Sequence, residues 1–188
     1  MNKFRFLVFT AVLLLSSASV LLAANPPLPK AQAPVYTTSF GQSQDSNFVN
    51  VLSKRVKLDN YHRTVANPEG AEWNNAKTFI AVIGGSGKGL GSAGLEVSDE
   101  VKRCDSFIKA ARAQKKYIIG MHIGGPDRRG PNSVDFLPFA GQVDYMIVRA
   151  DGNSDGYFTK LCAEKKVPLY IIENTREIEG VLKEIFGL

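Results

Sequence analysis

The chain is predicted to fold as an α/β domain, a three-layer sandwich with helices on both faces of a mainly parallel sheet. Three observations predict it. From Pro34 onward, short β-branched or aromatic runs alternate with amphipathic stretches, as βαβ units do. Two of the runs, Phe79 to Ile83 and Leu169 to Ile172, are continuously apolar, as strands covered on both faces are. Glycine-rich turns follow several of them, where parallel sheets place their binding loops.

Taken in order, strands are expected at 35–39, 61–65, 78–83, 117–123, 144–149 and 168–173, and helices at 46–55, 99–115, 156–166 and 176–186, with a shorter one at 134–141. Ser98, followed by Asp99 and Glu100, is the expected N-cap of the long helix, with acids in its first turn. The crossover at 66–77 is shorter and more polar, with Asn67-Pro68 able to cap a single turn. If the second strand pairs on one side of the first and the third on the other, the order is 2-1-3-4-5-6, a flavodoxin-like or Rossmann-like sheet. Right-handed crossovers then put the switch point, and the ligand crevice, between the first and third strands.

Residues 1–24 have the order of a signal peptide: basic Lys3 and Arg5, an apolar run from Phe6 to Ala24, then Asn25-Pro26-Pro27. Cleavage after Ala24 is expected. Leu22 is larger than the residue preferred at its place, and the run is close to the roughly 20 residues that span a bilayer, so an uncleaved anchor is the alternative. No cysteine near the junction marks a lipoprotein. Residues 25–34 are too proline-rich to pack and read as an extended lead-in; residues 35–188 form one domain. The expected location is periplasmic or secreted, without stable membrane insertion once the leader is removed.

Loss of Lys3 and Arg5 lowers the formal net charge from +5 to +3, too mild for a nucleic-acid binder. The pairs Lys54-Arg55, Lys115-Lys116 and Lys165-Lys166 fall near helix ends, where they complement the dipole. An exported chain with two cysteines invites a disulfide, but Cys104 shares a helix stripe with Val97, Val101, Ile108 and Ala111, and Cys162 sits beside Phe158 and Leu161. Both are expected as free core thiols.

The strongest local signal follows the third strand: Gly84-Gly85-Ser86-Gly87-Lys88-Gly89-Leu90-Gly91-Ser92-Ala93-Gly94. Glycines remove side chains where backbone N–H groups must approach something closely, and Lys88 adds a cation, which together suit a phosphate, sulfate or carboxylate. The loop is no Walker A motif, having Val82 and Gly89 where Gly and Ser or Thr are required. Gly89 to Gly94 spells G-x-G-x-x-G, but it is joined directly to neither the strand nor the helix capped by Ser98. After the fourth strand come His122-Ile123-Gly124-Gly125-Pro126-Asp127-Arg128-Arg129-Gly130, where two arginines can fork onto an anion and His122 can serve as acid or base. Gly41, Gln42 and Ser43 after the first strand complete the expected crevice. Asp151 to Gly156 begins like an EF-hand but has Cys162 where the closing glutamate belongs. A Ser86, His122, Asp151 triad lacks the nucleophile elbow, because Lys88 replaces its last glycine. His62 and His122 have no metal-site spacing, so no metal is expected.

The segments Thr38 to Ser43, Gly84 to Gly91, His122 to Gly125 with Arg128-Arg129-Gly130, and Asp151 to Gly156 resemble those of a family of exported bacterial domains of unknown function, over about residues 35–187. The resemblance implies a family and a compartment, with no activity or catalytic residue to carry over. The function expected is binding of a small anion, bearing phosphate or carboxylate, by Gly41, Gln42, Ser43, Gly84, Gly85, Ser86, Gly87, Lys88, Gly89, Gly91, Gly124, Gly125, Arg128 and Arg129. The alternative is a hydrolase or transferase on an anionic substrate with His122 as acid or base. No cofactor is named by the sequence, and export argues against dependence on cytoplasmic ATP or NAD.

Overall fold

The computed structural model describes residues 25–188; the leader expected at 1–24 lies outside them. Six strands, β1 (Val35–Phe40), β2 (Asn60–His62), β3 (Thr78–Ile83), β4 (Tyr117–His122), β5 (Tyr145–Arg149) and β6 (Leu169–Ile172), form one all-parallel sheet in the order 2-1-3-4-5-6. The order is the expected one. Every residue of β1 and β3 is buried, as the central place of these strands requires. β2 ends at His62 instead of running to Val65, which is 54% exposed.

Successive side chains of a strand point to opposite faces, and here the two faces differ in chemistry. Ile80 and Val82 join an aliphatic layer beneath α1 (Asp45–Arg55) and α6 (Ile178–Phe186), which contributes Ile178, Leu182 and Ile185. Phe79, Ala81 and Ile83 face an aromatic layer beneath α2 (Gly70–Asn75), α4 (Val97–Ala113) and α5 (Tyr157–Lys165). There Phe79 stacks on Phe107 with centroids 5.3 Å apart, and Trp73 meets Tyr36 edge-on at 5.3 Å. Each such pair adds about 1 kcal/mol beyond the area it buries. Trp73, fully buried, is what lets the short polar crossover of α2 dock at all.

Four local expectations are corrected. Ser98 is not the cap of α4: the helix begins at Val97 after Glu96, and its buried stripe is turned toward Glu100, Arg103, Cys104 and Phe107, leaving Val97 exposed. The expected helix at 134–141 is a 3-10 segment, Leu137–Gln142, because Pro138 and Gly141 deny it a regular α-helical ladder while Leu137, Phe139 and Ala140 still bury. The proline-rich lead-in does pack: Leu28 and Ala31 rest on the aliphatic layer, and the Asn25 side chain both donates to and accepts from the Ile171 backbone, at 2.8 Å each, on the edge strand. Lys116 is not a helix-end cation in water; it is buried, donating to the Ala76 carbonyl and lying over the Trp73 ring. Cys104 and Cys162 are buried free thiols, and burial raises the pKa of both, Cys162 to about 11.

Candidate functional site

The glycine-rich stretch is a loop only as far as Ser86. Gly87–Ala93 forms a short helix, α3 in chain order, whose N-cap Ser86 accepts a hydrogen bond from the Gly89 amide. Its glycines mostly admit the protein's own chain. A Cβ at Gly85 would lie 1.6 Å from the Asn132 carbonyl oxygen, and one at Gly89 would lie 1.9 Å from that of Gln42. Gly41, with φ +103°, is pressed against Phe136 and the Gly84 carbonyl. Gly91 alone of the expected contact glycines has nothing within 4 Å of a Cβ; it faces solvent.

What remains open is a cavity of about 740 Å³ beside the β1/β3 switch point. Gln42, Ser43 and Gln44 line it from the loop after β1, with Asn47 from α1, while Thr64 and Val65 come from the segment after β2. Ser86, Lys88, Gly89, Ser92 and Ala93 close the other side. Lys88 is the one cation and no lining residue is a carboxylate. Lys88 is exposed, and among the described residues no carboxylate oxygen lies within 4.0 Å of it.

The wall after β1 is held from behind by a buried ion pair on α4. Glu100, fully buried, accepts from the Gly41 amide (3.0 Å), from Gln42 Nε2 (3.0 Å) and from Arg103 Nε (2.7 Å). Arg103 in turn donates to the carbonyls of Ser39 and Ala66 and to the Thr38 hydroxyl. This network holds Gln42 at φ 59°, a left-handed conformation that is uncommon for a non-glycine residue. Sequence reasoning missed both residues. The signal was present: opposite charges three apart on a helix stripe that otherwise reads apolar.

The second expected loop does not reach this cavity. Gly124 and Arg128 line a separate space of about 320 Å³ against Asp45, Phe48 and Arg149, with Gln44 standing between the two cavities. Arg128 pairs with Asp45 at 3.3 Å. Arg129 is engaged in a bidentate pair with Asp155 (2.9 and 2.7 Å), donates to the Gly152 carbonyl at 2.6 Å, and lies over the Tyr157 and Phe158 rings. That guanidinium holds the Asp155 carboxyl below its ordinary pKa. A Cβ at Gly125 would meet the Arg149 guanidinium, which is itself bound by Asp151 at 2.6 and 2.8 Å. The expected single crevice is therefore two: Gln42, Ser43, Ser86, Lys88 and Gly89 come together, whereas Gly124, Gly125, Arg128 and Arg129 gather apart from them.

His122 lies beneath the second loop, fully buried, with Nδ1 3.0 Å from the Ile83 carbonyl and its ring 4.7 Å from that of Phe158. The carbonyl makes Nδ1 the protonated nitrogen. Nε2 has no partner, and a Cβ at Gly152 would lie 3.0 Å from it. Burial lowers the pKa to about 4, the Ile83 bond opposing and the Arg129 charge reinforcing that shift. The ring is neutral at pH 7 and lines neither of the two cavities. Among the described residues no cluster of three or more His, Cys, Asp or Glu could hold a metal, and no helix is long and apolar enough to cross a membrane.

The fold and the site together define an α/β domain with a polar cavity at its switch point. A family model described as a domain of unknown function (DUF6305) matches residues 32–186, and the chain belongs to that family. No curated protein matches it. Among solved structures, a psychrotrophic esterase, EstA from Pseudoalteromonas sp., inhibited by monoethylphosphonate, is similar at 14% identity over 73% of this chain and 76% of that one, with a TM-score of 0.29. A likeness that slight carries no argument about activity.

Proposed function

We propose that the domain binds a small anionic ligand, bearing phosphate or carboxylate, in the cavity beside the β1/β3 switch point, with Lys88 as its countercharge. One observation carries this: the cavity lining holds a lysine and no carboxylate, so the field inside favours an anion. The place is also where open parallel sheets bind ligands. Export of the domain belongs to the same proposal and rests on the basic-apolar-small order of residues 1–24; N-terminal sequencing of protein from the host's extracytoplasmic fraction tests it, with Asn25 expected first.

Titration calorimetry against phosphate, nucleotide and carboxylate panels tests the ligand. Saturable binding lost on Lys88→Ala with an unchanged melting temperature is the expected result, and no binding by any panel member overturns the proposal. The alternative, a hydrolase or transferase using His122, requires Nε2 to reach a substrate. Gly152 packed against that fully buried ring speaks for the binding role instead, and turnover abolished by His122→Ala in a folded variant would reverse the preference.

A further inference from the structure

We infer that the ligand of this cavity is a polyhydroxylated anion, of the sugar-acid or sugar-phosphate class, and neither a bare inorganic ion nor an apolar carboxylate; the inference rests on the anion-binding proposal and narrows it. Three features of the lining carry it.

The first is size. About 740 Å³ lies within the range of sites built for small organic molecules, and an inorganic phosphate or acetate would leave most of it to water. The second is charge. Lys88 is the lone lining cation, so the cavity offers countercharge for one anionic group and leaves the remainder of any ligand to neutral walls.

The third is what those walls are. Beyond Lys88 and Gly89 the lining consists of amides and hydroxyls, with Val65 and Ala93 the only apolar side chains. An alkyl chain would cover those amides and hydroxyls without pairing them. Several of those groups have capacity to spare. Ser86 Oγ accepts from the Gly89 amide, which leaves its O–H to donate outward. Gln44 spends its carbonyl on Asn47 and keeps its NH2. Gln42, by contrast, has its NH2 bound to Thr64 and Glu100 and can offer a ligand only its carbonyl oxygen. The cavity thus presents donors at Gln44, Ser86 and Lys88 and an acceptor at Gln42, a mixed set that matches hydroxyl groups, each both donor and acceptor. The buried Glu100 and Arg103 keep the Gln42 wall from rearranging to suit another ligand.

The test is calorimetry on the full chain at constant ionic strength with gluconate, glucuronate and glucose 6-phosphate against glucose, hexanoate and inorganic phosphate. A site that pairs ligand hydroxyls rejects analogues lacking them, so at least one hydroxylated anion is expected to bind about 10-fold or more tighter than hexanoate, phosphate and glucose. Gluconate against glucose 6-phosphate decides whether the anionic group is carboxylate or phosphate. Lys88→Ala should bring the best ligand down to the level of glucose, and Gln44→Ala should weaken it several-fold without altering the melting temperature. Hexanoate or phosphate binding as tightly as the hydroxylated anions overturns this inference and leaves the anion proposal standing. None of the six binding overturns this inference and leaves the anion proposal to the wider panels, whereas glucose binding as tightly as the best of the anions overturns both.

Discussion

Two loop clusters stand at the carboxyl end of the same sheet, and in sequence they look alike: glycines, a turn and basic residues after a buried strand. Around Ser86 to Ala93 the cation is left without a partner and a cavity remains. Around Gly124 to Arg129 the cations are taken up by Asp45 and Asp155, Arg149 fills the space over Gly125, and His122 is sealed below. The difference is acid supply. Arg128 and Arg129 each find an aspartate far away in sequence, whereas among the described residues no carboxylate comes within 4.0 Å of Lys88. Glycine enrichment therefore marks close approach without saying what approaches, and at Gly85, Gly89, Gly124 and Gly125 it is the protein itself.

The comparison breaks most severely through the wall of the open cavity. Glu100→Gln leaves Arg103 buried beside a neutral amide and should cost about 4 kcal/mol in chemical denaturation, with loss of ligand binding. Next is Gly85→Ala, whose added methyl meets the Asn132 backbone; the expected loss is about 3 kcal/mol. In the sealed cluster the lever is pH. The folded chain keeps His122 neutral down to about pH 4, whereas the unfolded chain protonates it near its ordinary value of 6.5, so in between the unfolded state binds the extra proton. Stability from this group is complete above pH 6.5 and is lost as pH falls toward 4, by about 3 kcal/mol. Denaturation midpoints for His122→Gln should therefore fall less steeply over that window than those of the wild type; an equal slope would show that the ring is not held neutral. Smaller and opposite in sign, Gly91→Ala should stabilise α3 by about 0.5–1 kcal/mol, because nothing crowds a Cβ there. Lys88→Ala should move stability least, within about 0.5 kcal/mol, while abolishing the proposed binding.

Much of the fold was legible because it rests on local patterns. The β-branched runs of β1 and β3 and the amphipathic α1 and α6 follow from periodicity, while the strand order was legible only once a pairing of the first three strands was assumed, the pairing the sheet adopts. Where local signals misled, the cause was a partner distant in the chain: Trp73 anchoring a crossover that reads as polar, Ile171 capturing Asn25, and Asn132 and Gln42 occupying the space that Gly85 and Gly89 leave free. The site was half legible. Gln42, Ser43, Ser86, Lys88 and Gly89 do share a cavity, but Thr64, Asn47 and Ser92 carry no motif, and Glu100 and Arg103 were hidden within a helix stripe.

The sequence by itself determined an α/β domain with a mainly parallel sheet, named 2-1-3-4-5-6 as the order that one assumed pairing of the first three strands gives, and pointed to the carboxyl end of the sheet, because hydrophobic period and glycine turns act over tens of residues. Only the tertiary structure decided which cations are free. Lys88 and Arg129 are both loop cations in the sequence, and what separates them is Asp155, brought to 2.7 Å by the docking of one loop on another, with no counterpart brought to Lys88 among the described residues. Charge pairing is settled by distance in space, and distance in space is what a linear pattern does not encode.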